Sequence, residues 1–307
     1  MTKNISKGDI QLLSWIAEYK FLTAKQLGSL SQRSRQVMRK KQRELASGNY
    51  VTIQMQTFGV GPGRPENIVL LTAKGLKFLK EKNVLSNHAR YVTNKTKSSI
   101  SVSHDLLVNW FFIHLIQIGR EKPSLSTKHL TISSHRLKSG SSEKPLLMEP
   151  ISNGQSAENY TMIPDGVFII TDKESEKSLL FFLEVDMGTE TLVNSKGKPT
   201  DVRQKIINYQ TLFREAKYRR YEKIFKVKLN GFRLLFLSNT PARLKALCRL
   251  VREMSPTNFI WLAVQDQMFS NGLSAEIWAR GGKDNEQLQS ILGHRLASKI
   301  TVIDKIR

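Results

Sequence analysis

The chain has 307 residues, 40% of them hydrophobic, which suits two domains with their own cores and excludes a wholly disordered polypeptide. Lys and Arg number 48 against 26 Asp and Glu, a formal net charge of +22, so a polyanion is expected as partner, nucleic acid before any other. Cys248 is the only cysteine, which rules out an intrachain disulfide and a thiolate zinc site and fits a reducing cytoplasm.

The opening MTKNISKGDIQ lacks the apolar core of a secretory signal. Leu12, Leu13, Ile16 and Ala17 recur at helical spacing and predict a first helix ending near Lys20. Thr23 is the expected cap of a short helix, TAKQLGSL. A third helix is predicted from about Ser31 to Gly48, with Val37, Met38 and Leu45 toward the core. It also carries Arg33, Arg35, Arg39, Lys40, Lys41 and Arg43, with no acid before Glu44. A strand over 50–56, the turn-rich FGVGPGRPEN, a strand over 68–71 and a helix capped by Thr72 follow. Three helices, a hairpin and a closing helix are the order of a winged helix-turn-helix, whose third helix reads duplex DNA. The expected DNA contacts are therefore Arg33, Arg35, Arg39, Lys40 and Arg43, with Arg64 at the hairpin tip placed for phosphate or the minor groove. Residues 1–98 hold 18 Lys and Arg against 5 Asp and Glu, so the positive charge is concentrated on this module. The expected boundaries are a winged-helix domain over 1–85, a polar linker over 86–102 and a second domain over 103–307.

The second domain is expected to start with a helix, SHDLLVNWFFIHLIQIG, capped by Ser103. Its apolar run, Leu106 to Ile118, is interrupted by Asn109, His114 and Gln117 and is too short to span a bilayer, so no membrane partner is expected. Strand-like runs at 128–134 and 145–149 precede two stronger strands, 160–171 and 178–186, and a basic helix over about 201–220. FRLLFLS, PARLKALCRLVREM and NFIWLAV then alternate as strand, helix and strand, so the domain reads as α/β with a mixed sheet.

Chemistry is expected around Pro164-Asp165 and the run FFLEVD. Glu184 and Asp186 share one face of their strand by alternation, and Asp165 comes beside Glu184 if the two strands pair. Three hard oxygen ligands, Asp165, Glu184 and Asp186, suit Mg²⁺ or Mn²⁺. Such an ion activates water against a phosphodiester. No G-x-x-x-x-G-K-[ST] loop is present, so no nucleotide is expected, and the six histidines are too scattered for a His-hydrophobe-His relaxase centre.

The order of these elements resembles the PD-(D/E)xK nuclease superfamily. The whole chain is similar to the plasmid replication-relaxation family, on LLSWIAEYKFLTAKQL, GRPENIVLLTAKG, SHDLLVNWF, PDGVFII, FFLEVDMGTE and KIINYQ. The nuclease pattern implies a lysine two residues after Glu184, where this chain has Asp186. The resemblance admits Lys205, on the following helix, as the replacement, with Gln204 or Tyr209 assisting and Asp105 or His104 as outlying candidates. Two readings stay open. One is a Mg²⁺-dependent DNA endonuclease or nickase with Asp165, Glu184, Asp186 and Lys205 as its catalytic set. The other is a non-catalytic replication or relaxation factor that binds double-stranded DNA; a transcriptional regulator is a weaker third. Replication or mobilisation proteins are further expected partners, and a homodimer over paired half-sites is compatible with the module.

Overall fold

In the computed structural model, residues 5–56, 66–87, 89, 99–130, 149–152, 159–193 and 201–302 are described. The chain divides into two compact units: residues 1–113 with 131–146 and 302–307, and residues 114–130 with 147–301.

In the first unit every early helix starts on a side-chain cap. Ser6 and Asp9 form a capping box at the head of α1 (Lys7–Glu18), and Thr23 and Gln26 form another at α2 (Ala24–Ser31). The short strand β1 (Leu22–Thr23) lies between them. The third helix, α3 (Arg35–Ser47), starts on a Ser34 cap, later than the expected start near Ser31, which belongs to the end of α2. Gln32 in the left-handed region (φ 55°) makes the turn, so Arg33 precedes α3 instead of riding on it. Gly48 caps the end of α3, but the left-handed residue that turns the chain is Asn49. Strands β2 (Val51–Gln54) and β3 (Ile68–Leu71) pair antiparallel, and β1 adds to β3, giving the order β1-β3-β2. Helix α4 (Ala73–Glu81) closes the unit on its Thr72 cap, whose hydroxyl also donates to the Asn49 carbonyl at 2.6 Å. Leu13, Ile16, Leu27, Leu30, Met38, Leu45 and Leu79 fill the core; Val37, expected there, is 42% exposed.

Helix α5 (Ser99–Glu121) begins four residues before the expected Ser103 cap, and Val102 is already buried. The division between the units falls within it. No helix among the described residues is long and apolar enough to cross a membrane. Most of the expected linker lies outside the described residues.

The second unit is built on a six-stranded mixed sheet. Strands β4 (Leu125–Leu130), β7 (Gly166–Asp172), β8 (Lys177–Asp186), β9 (Phe232–Ser238), β10 (Ile260–Val264) and β11 (Ala279–Arg280) run in the order β11-β10-β9-β8-β7-β4. The β8–β9 and β9–β10 pairs are parallel and the others antiparallel. A separate hairpin pairs β5 (Glu149–Ser152) with β6 (Asn159–Met162). The continuous strand expected over 160–171 is thus two strands. Pro164 has no N–H for a ladder and restricts Ile163, so the chain breaks there and re-enters the sheet at Gly166. Between β8 and β9 lie α6 (Val202–Arg214) and α7 (Arg220–Phe225), with Ala216 left-handed (φ 52°) after α6, so the helix expected over 201–220 is also interrupted. Helix α8 (Pro241–Arg252) joins β9 to β10, and α9 (Gln265–Asn271) follows β10. Val167, Ile169, Leu180, Phe182, Leu234 and Phe236 on one sheet face pack against Ile206, Tyr209 and Leu212 of α6 and Leu247 and Val251 of α8. Side chains alternate along a strand, so that same helix-covered face carries Glu184 and Asp186.

Candidate functional site

The acidic residues sit where β8 leaves the core. Asp165 follows Pro164 at the entry to β7. Its backbone N–H donates to the Leu183 carbonyl at 3.0 Å, and its Oδ2 accepts from the Val185 N–H at 2.7 Å. The side chain is thereby fixed across β8 beside Glu184. Glu184 is 3% exposed and accepts two hydrogen bonds from α6: Lys205 Nζ at 2.9 Å on Oε2 and the Tyr209 hydroxyl at 2.6 Å on Oε1. Lys205 and Tyr209 are four apart and therefore share one face of α6. Asp201 caps that helix by accepting from the Gln204 N–H. Lys205 also reaches Glu190 at 3.1 Å.

Burial pushes the Glu184 carboxyl up to about 7, with Asp165 adding to the rise and Lys205 and Tyr209 opposing it. Burial would lower Lys205, but Glu184, Glu190 and Asp165 outweigh it and hold the ammonium above its ordinary range. Tyr209 is raised well above 10 by burial and by the Glu184 charge, so its hydroxyl stays a donor. The arrangement is a buried carboxyl whose proton affinity is raised by burial, with a fixed ammonium and phenol against it.

Asp186 has a different setting from its strand neighbour. Its Oδ1 accepts from the Gly188 N–H at 2.6 Å, and its Oδ2 faces Arg243 of α8 at 2.8 and 3.0 Å. Arg243 also donates to the Glu190 carbonyl at 2.6 Å, so it ties the segment after β8 to α8. Arg243 was not foreseen from the sequence; the available signal was that a buried Asp186 needs a counter-charge. Gln204 is turned to Asn208 at 3.0 Å and not to the carboxylates. Asp105 belongs to the first unit, where Lys20 donates to it at 3.2 Å and His104 lies at 3.4 Å. Among the described residues no three His, Cys, Asp or Glu side chains gather as a group able to hold a metal ion. Asp165 and Glu184 face each other, while Asp186 is engaged by Arg243. A divalent ion at Glu184 would have to displace Lys205.

In the first unit the cations of α3, with Arg33 just before it, divide by what they meet. Lys41 is drawn inward, 3.1 Å from Asp9 and 3.3 Å from Glu44, and so fastens α3 to α1. Asp9 is lowered despite the opposing effect of burial, because Ser6 and Lys41 donate to it. Arg35 pairs with Glu66 at the foot of β3. Arg33, Arg39, Lys40 and Arg43 are exposed. Arg35, Arg39 and Arg43 line a groove of about 570 Å³ whose other wall is Met55, Glu66 and Asn67. Arg64 lies outside the described residues.

The family model described as "Replication-relaxation" matches residues 13–227, from α1 through α7. The chain belongs to the replication-relaxation family. In this member both the basic helix and the Asp165–Glu184–Lys205 cluster fall inside the family segment, whereas Arg243 and strands β9 to β11 lie beyond it. Comparison with curated proteins returns no match. Among solved structures, a MarR family transcriptional regulator from Silicibacter pomeroyi DSS is similar at 25% identity. The likeness covers 31% of this chain and 62% of that one, with a TM-score of 0.22. The helix order and sheet pairing of the first unit carry the fold argument without it.

Proposed function

We propose that this replication-relaxation family chain binds double-stranded DNA through α3 and the adjoining wing, in the replication or relaxation of a plasmid or mobile element. The observation that carries the reading is the sorting of cations on α3 and at Arg33 just before it. Lys41 is engaged on the protein side, while Arg33, Arg39, Lys40 and Arg43 face solvent beside a groove walled by the β2–β3 hairpin. An exposed cationic helix after a tight turn, next to a hairpin, is the geometry in which a winged helix enters the major groove. Exposed cations of this kind release counterions on meeting phosphate. In a gel shift with duplex DNA, Arg39→Ala, Lys40→Ala and Arg43→Ala together are expected to weaken binding without changing the circular dichroism of the chain. Unchanged affinity in the folded triple variant would refute the assignment.

A PD-(D/E)xK-like nuclease is the second reading for the second unit, favoured by one observation: Lys205 places its ammonium on Glu184, although the strand position expected for that charge holds Asp186. In this reading Asp165 and Glu184 are the carboxylates that would meet Mg²⁺ or Mn²⁺ once Lys205 yields, and Lys205 then neutralises charge on the phosphate. Supercoiled plasmid incubated with the metal and the chain tests it. Nicking that Asp165→Ala and Glu184→Ala both abolish supports an enzyme; relaxed plasmid in equal amount from parent and variants, or none from any, leaves the DNA-binding factor.

A further inference from the structure

The sheet of the second unit has a second concavity at its other end. Ser178 at the start of β8 is six residues from Glu184, roughly 20 Å along the strand. There a pocket of about 560 Å³ opens between the starts of β8, β9 and β10. Its lining includes four cations, Lys177, Lys228, Arg233 and Arg280, and one carboxylate, Glu176.

Two of these cations are held in place by the fold. Arg233 lies over the Trp261 indole at 4.2 Å, and Arg280 is the cross-strand partner of that tryptophan, so both arginines belong to one end of the β10–β11 pair. Arg233 donates through Nη1 to the Ile291 carbonyl at 2.9 Å, and Arg280 through Nε to the Asn258 carbonyl at 3.2 Å. Among the described residues neither guanidinium has a carboxylate within ion-pair distance. Burial, with Arg280 beside it, pulls Arg233 down to about 10. Two fixed like charges, one of them half-buried, disfavour each other unless an anion comes between them. Next to them Phe213, 38% exposed, gives the pocket an apolar rim, and a Cβ at Gly231 would meet its ring at 3.3 Å, so glycine there leaves the rim open.

We propose that this pocket is a nucleotide site, taking a phosphate between Arg233 and Arg280 and an aromatic base against the Phe213 rim, and that the nucleotide belongs to a nucleic-acid strand. Guanidinium pairs suit phosphate because they offer several N–H donors in a fixed plane. Cations beside aromatics are the combination by which proteins hold single strands. The choice of a strand over a free nucleotide rests on the DNA-binding reading above; the geometry of the pocket does not.

The test uses the full chain with Arg280→Glu and, separately, Lys228→Glu. Both residues are exposed, so the fold is retained. Anisotropy of a labelled single-stranded oligonucleotide is followed against salt, with labelled duplex and the Arg39/Lys40/Arg43 alanine variant in parallel. Inorganic phosphate and a deoxynucleoside monophosphate serve as competitors. Expected is weaker strand binding in both pocket variants and a salt slope shallower by about 0.7 for each phosphate left without its cation. The α3 variant should lose duplex binding and keep this behaviour. Strand affinity and slope equal to the parent in both pocket variants would overturn the site. Competition by the free nucleotide that Arg280→Glu abolishes, with strand binding unchanged, would overturn the strand as its source. Failure of duplex binding alone would strike the α3 assignment and leave the pocket standing.

Discussion

Replacing Lys205 by Met leaves the Glu184 carboxylate buried with only the Tyr209 hydroxyl to satisfy it. Glu184 is 3% exposed and Lys205 26%. Removing one partner of a buried pair costs about 3–5 kcal/mol, and the partial access of Lys205 to water puts this case near the lower end, about 3 kcal/mol. For a unit of this size that is roughly 6–12 °C in melting temperature. The deficit should depend on pH in a defined direction. With the ammonium gone, only the Tyr209 hydroxyl opposes burial, and the folded pKa of Glu184 rises further above the ordinary 4.5. An acid whose pKa is raised on folding loses stability as pH increases from its unfolded value toward its folded one. Because Glu184 of the parent is itself raised to about 7, the difference between Lys205→Met and the parent should stay level up to about pH 7 and widen above it. Glu184→Gln in the Lys205→Met background removes the charge and should recover most of the loss. Urea unfolding followed by circular dichroism at pH 5 and pH 8, on all four chains of the cycle, measures it. A variant as stable as the parent at pH 8, or a deficit independent of pH, would refute the ion-pair account.

Other consequences follow from single positions. At Gly75 a Cβ would lie 2.1 Å from the Tyr50 carbonyl oxygen, a backbone atom; Gly75→Ala should push α4 off the start of β2 and destabilise the first unit by about 2–3 kcal/mol, seen as an earlier transition in thermal unfolding. His114 is 1% exposed, and burial pulls its pKa from 6.5 to about 4, the Ile300 backbone partly opposing. A base whose pKa is lowered on folding costs stability as pH falls, so about 3 kcal/mol should be lost between pH 6.5 and pH 4. In His114→Gln that part of the acid sensitivity should disappear; an unchanged pH profile would show that the imidazole is not responsible.

Much of the first unit could be read from its caps. Thr23 and Thr72 each precede an apolar period and each accepts the expected N–H, because capping is decided within four residues. What differed there was the start of the third helix, expected near Ser31. Ser31 still belongs to α2, and the left-handed turn at Gln32 moves the start of α3 to its Ser34 cap. In the second unit strand alternation placed Glu184 and Asp186 on one face, and Lys205, which the resemblance admitted, lies on Glu184. The different surroundings of the two carboxylates were not legible. Tyr209 and Lys205 come from α6 and Arg243 from α8, and which helix covers which stretch of β8 is a matter of tertiary packing that no local period encodes. Pro164 did carry the signal for the break between β6 and β7; it was outweighed by the apolar run on either side.

The central claim is that α3 meets DNA through cations the fold leaves outward. The dependence of duplex affinity on salt, measured for the parent and for the Arg39, Lys40 and Arg43 alanine variant, tests it most directly. The account predicts a steep negative slope of log affinity against log salt in the parent, shallower in the variant by about 0.9 for each phosphate no longer neutralised. Parallel lines of equal affinity would contradict it.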